Sequence, residues 1–182
     1  MKLFLTSAGF DNRRLVGEFL ALTDKTGESM TALFIPTALN TPEMKNAVPI
    51  FLEDLYCLGI KKENITEYNL EEPFKDDINN YDVILFTAGN PEFLMERINS
   101  TGFKEQMDTF LENGGIYIGI SAGSDIAAKN LTDGLGYIDT VIECHCKEGD
   151  KPGPINLSER KTIYLSDEQA LVMNGNDIRI KE

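Results

Sequence analysis

The sequence predicts an α/β protein: a three-layer sandwich with helices on both faces of a mostly parallel sheet and a β-rich carboxyl-terminal end. Three observations carry this. Short apolar runs alternate with amphipathic stretches from Lys2 to Lys129, the pattern of parallel strands joined by crossover helices. The run Ile116-Tyr117-Ile118-Gly119-Ile120 stops at Ser121-Ala122-Gly123, and a helix-compatible stretch follows. Beyond Lys129, strand-like runs follow one another with few residues between them. The 182 residues suit one domain, 1–182, with a sizeable core. No repeat, low-complexity tract or linker interrupts it.

The elements follow in order. Lys2–Thr6 is a short buried strand. A turn at Ser7–Phe10 leads to a helix over Asp11–Leu22, with Leu15, Phe19 and Leu22 on one face and Asp11 or Asn12 as cap. Thr31–Ile35 is a strand ended by Pro36. Pro42–Leu58 has helical spacing, starts at Thr41-Pro42 and stops at Gly59; Pro49 is expected to bend or split it. Ile65–Leu70 and Tyr81–Phe86 are strands, and Glu92–Asn99 and Phe103–Asn113 are helices separated by Thr101-Gly102. After the strand before Ser121 comes a helix, Ser124–Lys129. Tyr137–Cys144, Thr162–Ser166, Ala170–Met173 and Asp177–Lys181 are strands, with Asn174-Gly175 as a hairpin turn and Lys147–Asn156 as a loop.

Composition excludes some functions. The net charge is −13, and nucleic acids and anionic membranes need a basic face, so neither is expected as a partner. No apolar stretch approaches the ~20 residues of a membrane span. Met1-Lys2-Leu3-Phe4-Leu5 starts like a signal peptide, but Thr6–Asp11 ends the apolar run too early. The three cysteines, Cys57, Cys144 and Cys146, show no disulfide framework, so a cytoplasmic location is expected.

Gly119-Ile120-Ser121-Ala122-Gly123 is a G-x-S-x-G pattern between a strand and a helix. There a serine sits in a tight turn that crowds side chains two residues away on either side, so both positions require glycine. Ser121 is thereby the candidate nucleophile, and the Ala122 N–H opens the following helix, where an oxyanion is stabilised. Gly89, after the Tyr81–Phe86 strand, is the candidate second donor. The only histidine, His145, is the one imidazole available as base. For the acid that orients it, Asp167 and Glu168 lie downstream, and Asp125, Asp133, Asp139 and Glu143 lie between Ser121 and His145; spacing alone does not choose among them. Cys144-His145-Cys146 is not read as a metal site, because three adjacent residues in extended chain point to opposite sides and no second Cys/His pair exists.

These residues resemble the peptidase E and cyanophycinase family of serine peptidases. Thr87-Ala88-Gly89-Asn90-Pro91-Glu92-Phe93-Leu94 resembles that family's G-G-N-x-x-x-L segment, and Ile116–Gly123 its Y-x-G-x-S-A-G elbow. Ile138–His145 resembles the strand leading to the catalytic histidine, and Ser166–Ala170 the segment that brings an acid to it. The resemblance implies a class I glutamine amidotransferase-like fold with a flavodoxin-like core. It implies Ser121 as nucleophile, His145 as general base, Glu168 as orienting acid, Gly89 and Ala122 as oxyanion donors, and no metal or cofactor. Small peptides are the implied substrates, dipeptides with an N-terminal aspartate among them, with Arg160 the nearest match to an arginine that recognises the acidic side chain. There are departures: Ala88 replaces the first glycine of G-G-N, the Ser121–His145 segment is short, and the helix usual between histidine and acid is missing. They motivate a second reading, a small-molecule-binding protein that keeps the fold without turnover. A thiol mechanism through Cys144 or Cys146 is a third reading, disfavoured because neither occupies the elbow.

Overall fold

The computed structural model describes residues 1–182. Ten strands and six α-helices form around one eight-stranded sheet. In chain order the strands are β1 (Lys2–Thr6), β2 (Ala32–Ile35), β3 (Ile65–Glu67), β4 (Val83–Phe86), β5 (Ile116–Ile120), β6 (Val141–Glu143), β7 (Gly153–Pro154), β8 (Thr162–Tyr164), β9 (Ala170–Asn174) and β10 (Asp177–Lys181). The helices are α1 (Arg14–Leu20), α2 (Pro42–Lys45), α3 (Val48–Cys57), α4 (Pro91–Thr101), α5 (Phe103–Glu112) and α6 (Ala122–Ala127). The large sheet runs β3-β2-β4-β5-β1-β9-β10-β7. Its β3-to-β1 half is parallel, and β9, β10 and β7 extend it by antiparallel pairing. A separate two-stranded sheet pairs β6 with β8 in parallel.

Successive strand residues face opposite sides of the sheet, which divides the core in two. Leu3, Leu5, Leu33, Ile84 and Phe86 pack against α4, α5 and α6. Phe4, Phe34, Val83, Leu85 and Ile118 pack against α1 and α3. The expected three layers result.

Local chemistry explains where elements depart from expectation. The first helix starts only at Arg14, because Asn12 Oδ1 accepts the Arg14 N–H at 3.1 Å and turns the chain there. The Pro42–Leu58 helix splits, and Pro49 lies in the first turn of α3, where an N–H has no intrahelical acceptor. The strand predicted over Tyr137–Cys144 shrinks to β6. Residues ahead of it bond to α6 instead, Leu135 N–H to Ile126 O at 2.7 Å and Ile138 N–H to Ala127 O at 3.1 Å. The predicted loop Lys147–Asn156 contains β7, which caps the β10 edge. No helix is long and apolar enough to cross a membrane.

Candidate active site

The site is built at the carboxyl end of β5, flanked by the same ends of β4 and β1, where loops of parallel sheets converge. Ser121 follows β5 with φ +47° and ψ −103°, outside the regions open to side-chain-bearing residues, at a cost on the order of 1–3 kcal/mol. The surroundings enforce it. A Cβ on Gly119 would lie 2.5 Å from Gly123 O, and one on Gly123 would lie 2.5 Å from Phe86 O. Both glycines are thus required by backbone approach, as the sequence reading anticipated. Thr6 O accepts the Ser121 N–H at 2.9 Å. Ser124 Oγ donates to Thr6 O at 2.8 Å, with Gly119 O at 2.9 Å. The Tyr117 hydroxyl donates to Gly123 O at 2.6 Å; burial raises its pKa well above the usual phenol value, so it stays a neutral donor.

His145 follows β6 and also has a positive φ, +58°. Its Nε2 lies 3.1 Å from Ser121 Oγ and its Nδ1 lies 2.6 Å from Asp167 Oδ1. A carboxylate only accepts, so Nδ1 carries the proton and the Nε2 lone pair faces the serine hydroxyl. The histidine and aspartate side chains are 53% and 61% exposed, so the pair is wet.

The acid beside His145 is Asp167, and the expectation of Glu168 is corrected. The two residues occupy the centre of a tight turn after β8, closed by Gln169 N–H to Ser166 O at 3.1 Å and by Ser166 N–H to Gln169 Oε1 at 3.2 Å. That turn sends Asp167 toward the imidazole. Glu168 contributes its carbonyl oxygen, which accepts from Asn12 Nδ2 at 2.9 Å. Asp133 lies elsewhere, in a cleft with Glu92, Glu96 and Asn99, and Asp139 pairs with Lys129. Arg160 precedes β8 whereas Asp167 follows it, and its guanidinium bonds Asp150 Oδ1 at 2.8 Å. The structure does not bring it to Ser121.

Asp125, on α6, is pushed up to about 6 by burial and by Glu143, against the opposing pull of His145. Cys144 is pushed up to about 12 by burial and by Asp125, so at neutral pH it is a thiol rather than a nucleophilic thiolate. Cys146 Sγ donates to Glu143 O at 3.4 Å. Gly89 has φ +139°, and a Cβ there would lie 2.3 Å from Ala38 O; this position after β4 admits only glycine. It sits beside the elbow, because Gly123 packs against Phe86, the last residue of β4.

The sequence model of peptidase family S51 matches residues 3–145. The chain belongs to that family. This S51 chain is 32% identical over 141 residues to the uncharacterized peptidase Lmo0363 of Listeria monocytogenes, covering 76% of this chain and 64% of that protein. It is 30% identical over 142 residues to the uncharacterized peptidase PM1590 of Pasteurella multocida, covering 77% and 66%. The chain thus matches just under two thirds of the length of each relative. Among solved structures, a candidate peptidase E protein from Listeria monocytogenes EGD-e superposes with a TM-score of 0.76 at 24% identity, covering 100% of this chain and 98% of that one. A peptidase from an acI-B1 Actinobacterium gives 0.67 at 16%, covering 99% and 86%. At these identities the two structures speak to the fold alone.

One element of the site has no counterpart in the sequence reading. Ser7, fully buried just after β1, accepts the His145 N–H on its Oγ at 3.2 Å and donates to Leu165 O at 3.1 Å. A hydroxyl residue after a central strand was the only sequence signal for it.

Proposed function

We propose that this chain is a serine peptidase acting on short peptides through Ser121, His145 and Asp167. The observation that carries this reading is the single imidazole bridging a strained elbow serine and a carboxylate. Ser121 Oγ attacks the scissile carbonyl as His145 Nε2 takes its proton. The developing oxyanion is met by the N–H of Ala122, which opens α6, and by that of Gly89. His145 passes the proton to the leaving amine. A water, deprotonated by the same nitrogen, then releases the acyl group and restores Ser121. Asp167 holds the Nδ1–H tautomer and offsets the charge of the imidazolium.

The resemblance favours dipeptides with an N-terminal aspartate. With Arg160 tied to Asp150, the cations next to the site are Arg13, whose guanidinium also bonds Cys57 Sγ, and Arg14. They line an open cleft of about 500 Å³ with Asp11, Asn12, Asp167 and Glu168. An anionic group of the substrate pairs there with a guanidinium.

Intact mass after treatment with a fluorophosphonate tests the mechanism. One adduct is expected on the wild type and none on Ser121→Ala, and an unlabelled wild type refutes the nucleophile. Hydrolysis of Asp-X and Leu-X dipeptides tests the specificity: cleavage of Leu-X at equal rate discards the aspartate preference while keeping the mechanism.

A further inference from the structure

The three groups of the site stand on two different sheets. Ser121 follows β5 of the large sheet, whereas His145 follows β6 and Asp167 follows β8 of the small one. Within the small sheet the two segments are stitched to each other, Leu165 N–H to Glu143 O at 2.9 Å and Cys146 N–H to Leu165 O at 3.0 Å. Histidine and aspartate therefore travel together. The elbow is stitched to β1 through Thr6 O, which accepts from the Ser121 N–H and from Ser124 Oγ. The residue that follows β1 is Ser7, whose hydroxyl accepts from His145 N–H and donates to Leu165 O. One hydroxyl thus bonds both segments of the small sheet from the residue adjoining the elbow's own anchor.

We propose that Ser7 is a positioning residue, a hydrogen-bonded joint that sets the spacing between Ser121 and the His145–Asp167 pair alongside the Cys144 Sγ bond to Thr6 O and the Asn130 bonds to Ile142. Its hydroxyl is fully buried, so no water replaces its bonds when it is removed, and the His145 N–H and one bond to Leu165 O lose their partner. His145 has φ +58°, a backbone that relaxes unless its neighbours hold it. Loss of Ser7 moves the small sheet as a body. The Nδ1 contact to Asp167 survives, while the Nε2 contact to Ser121 opens. This inference rests on the proposed Ser–His–Asp reading.

The sole histidine makes the test direct, because every imidazole ¹⁵N signal of a histidine-labelled sample belongs to His145. The tautomer reports the Asp167 contact, and the Nε2 shift reports the Ser121 contact, with Ser121→Ala supplying the reference for an unbonded Nε2. For Ser7→Ala we expect the Nδ1–H tautomer retained, the Nε2 shift moved to the Ser121→Ala reference, and labelling of Ser121 by a fluorophosphonate slowed about 10- to 100-fold, the scale of a 1 Å misplacement. Retention of the wild-type Nε2 shift and labelling rate overturns the proposal. Loss of the tautomer overturns it too, since the pair is then not a rigid unit. Should Ser7→Ala fail to fold, Ser7→Cys, close in size and a weaker hydrogen-bonding group, is read in the same way with smaller changes. Absence of labelling in the wild type would refute the nucleophile assignment separately, and the nitrogen shifts alone would then decide the joint.

Discussion

Replacing Asp167 by Asn keeps the size of the side chain and removes the charge that faces His145 Nδ1 at 2.6 Å. In the transition state the imidazole is an imidazolium, and charge centres ~4 Å apart attract by about 1 kcal/mol in bulk water and about 4 kcal/mol at an effective dielectric of 20. With the aspartate 61% exposed, the interaction falls between these limits. That corresponds to a loss of about 5- to 10³-fold in kcat. The wrong tautomer, which an amide also allows, adds to it. The expected total is about 10²- to 10³-fold, below the ~10⁴-fold found where a buried triad aspartate is replaced. The assay is the rate of fluorophosphonate labelling of Ser121, followed by intact mass, for the wild type, Asp167→Asn, Glu168→Gln and Asp133→Asn. The two control substitutions should change the rate less than about twofold. A larger loss in Glu168→Gln than in Asp167→Asn would refute the reasoning, because the turn after β8 would then present the other side chain.

Further outcomes follow from the same structure. Gly123→Ala pushes a methyl to 2.5 Å from Phe86 O; a destabilisation of about 1–3 kcal/mol in urea unfolding is expected, together with loss of Ser121 labelling, and unchanged values on both counts would contradict the elbow packing. Asp54, buried in α3 where it accepts the Phe10 N–H at 2.8 Å, is pushed up to about 6, chiefly by burial. The native state holds this proton up to about pH 6 and the unfolded chain releases it near pH 4, so this group makes stability fall as pH rises through that window. Asp54→Asn should therefore flatten the fall in urea midpoint between pH 4 and pH 7, and an unaltered slope would remove Asp54 as its source. Arg14→Ala and Arg13→Ala should raise KM for Asp-X dipeptides with little change in kcat, while Arg160→Ala leaves both near wild type. A selective effect of Arg160→Ala would place the anion elsewhere.

What the sequence disclosed divides by how local the deciding physics is. The elbow was legible because the crowding that demands Gly119 arises within five residues, from Gly123 O and Ser124 N, although Gly123 itself is pressed by Phe86 of the neighbouring strand. The break near Pro49 was legible for the same reason, since a missing N–H acts within one turn. The choice between Asp167 and Glu168 was not legible. It depends on a turn whose clamp, Gln169 Oε1 on the Ser166 N–H, fixes which of two adjacent acids faces inward. Arg160 was misplaced because its partner, Asp150, reaches it through the fold of the loop after β6. Ser7 was invisible as a functional position, because both of its partners are more than 130 residues away. The strand predicted over Tyr137–Cys144 had suitable residues, but hydrogen bonds to the end of α6 claimed their backbone first.

The place of β1 in the middle of the sheet has a consequence for how the molecule comes into being. Its register joins Lys2–Thr6 to Ile116–Ile120 on one side and to Asn174–Ala170 on the other. Pairings so distant along the chain form late, since long loops must close before the contacts reward them. The Ser121 N–H is anchored on Thr6 O, so the elbow has no fixed backing until these distant segments meet. A chain released only as far as α6 holds Ser121 without His145, Asp167 or the β9 neighbour of β1. On the proposed reading, the Ser121–His145–Asp167 arrangement is complete only once the segments after β6 and β8 have docked beside the elbow. In a refolding time course, labelling of Ser121 should accordingly trail the recovery of helical signal.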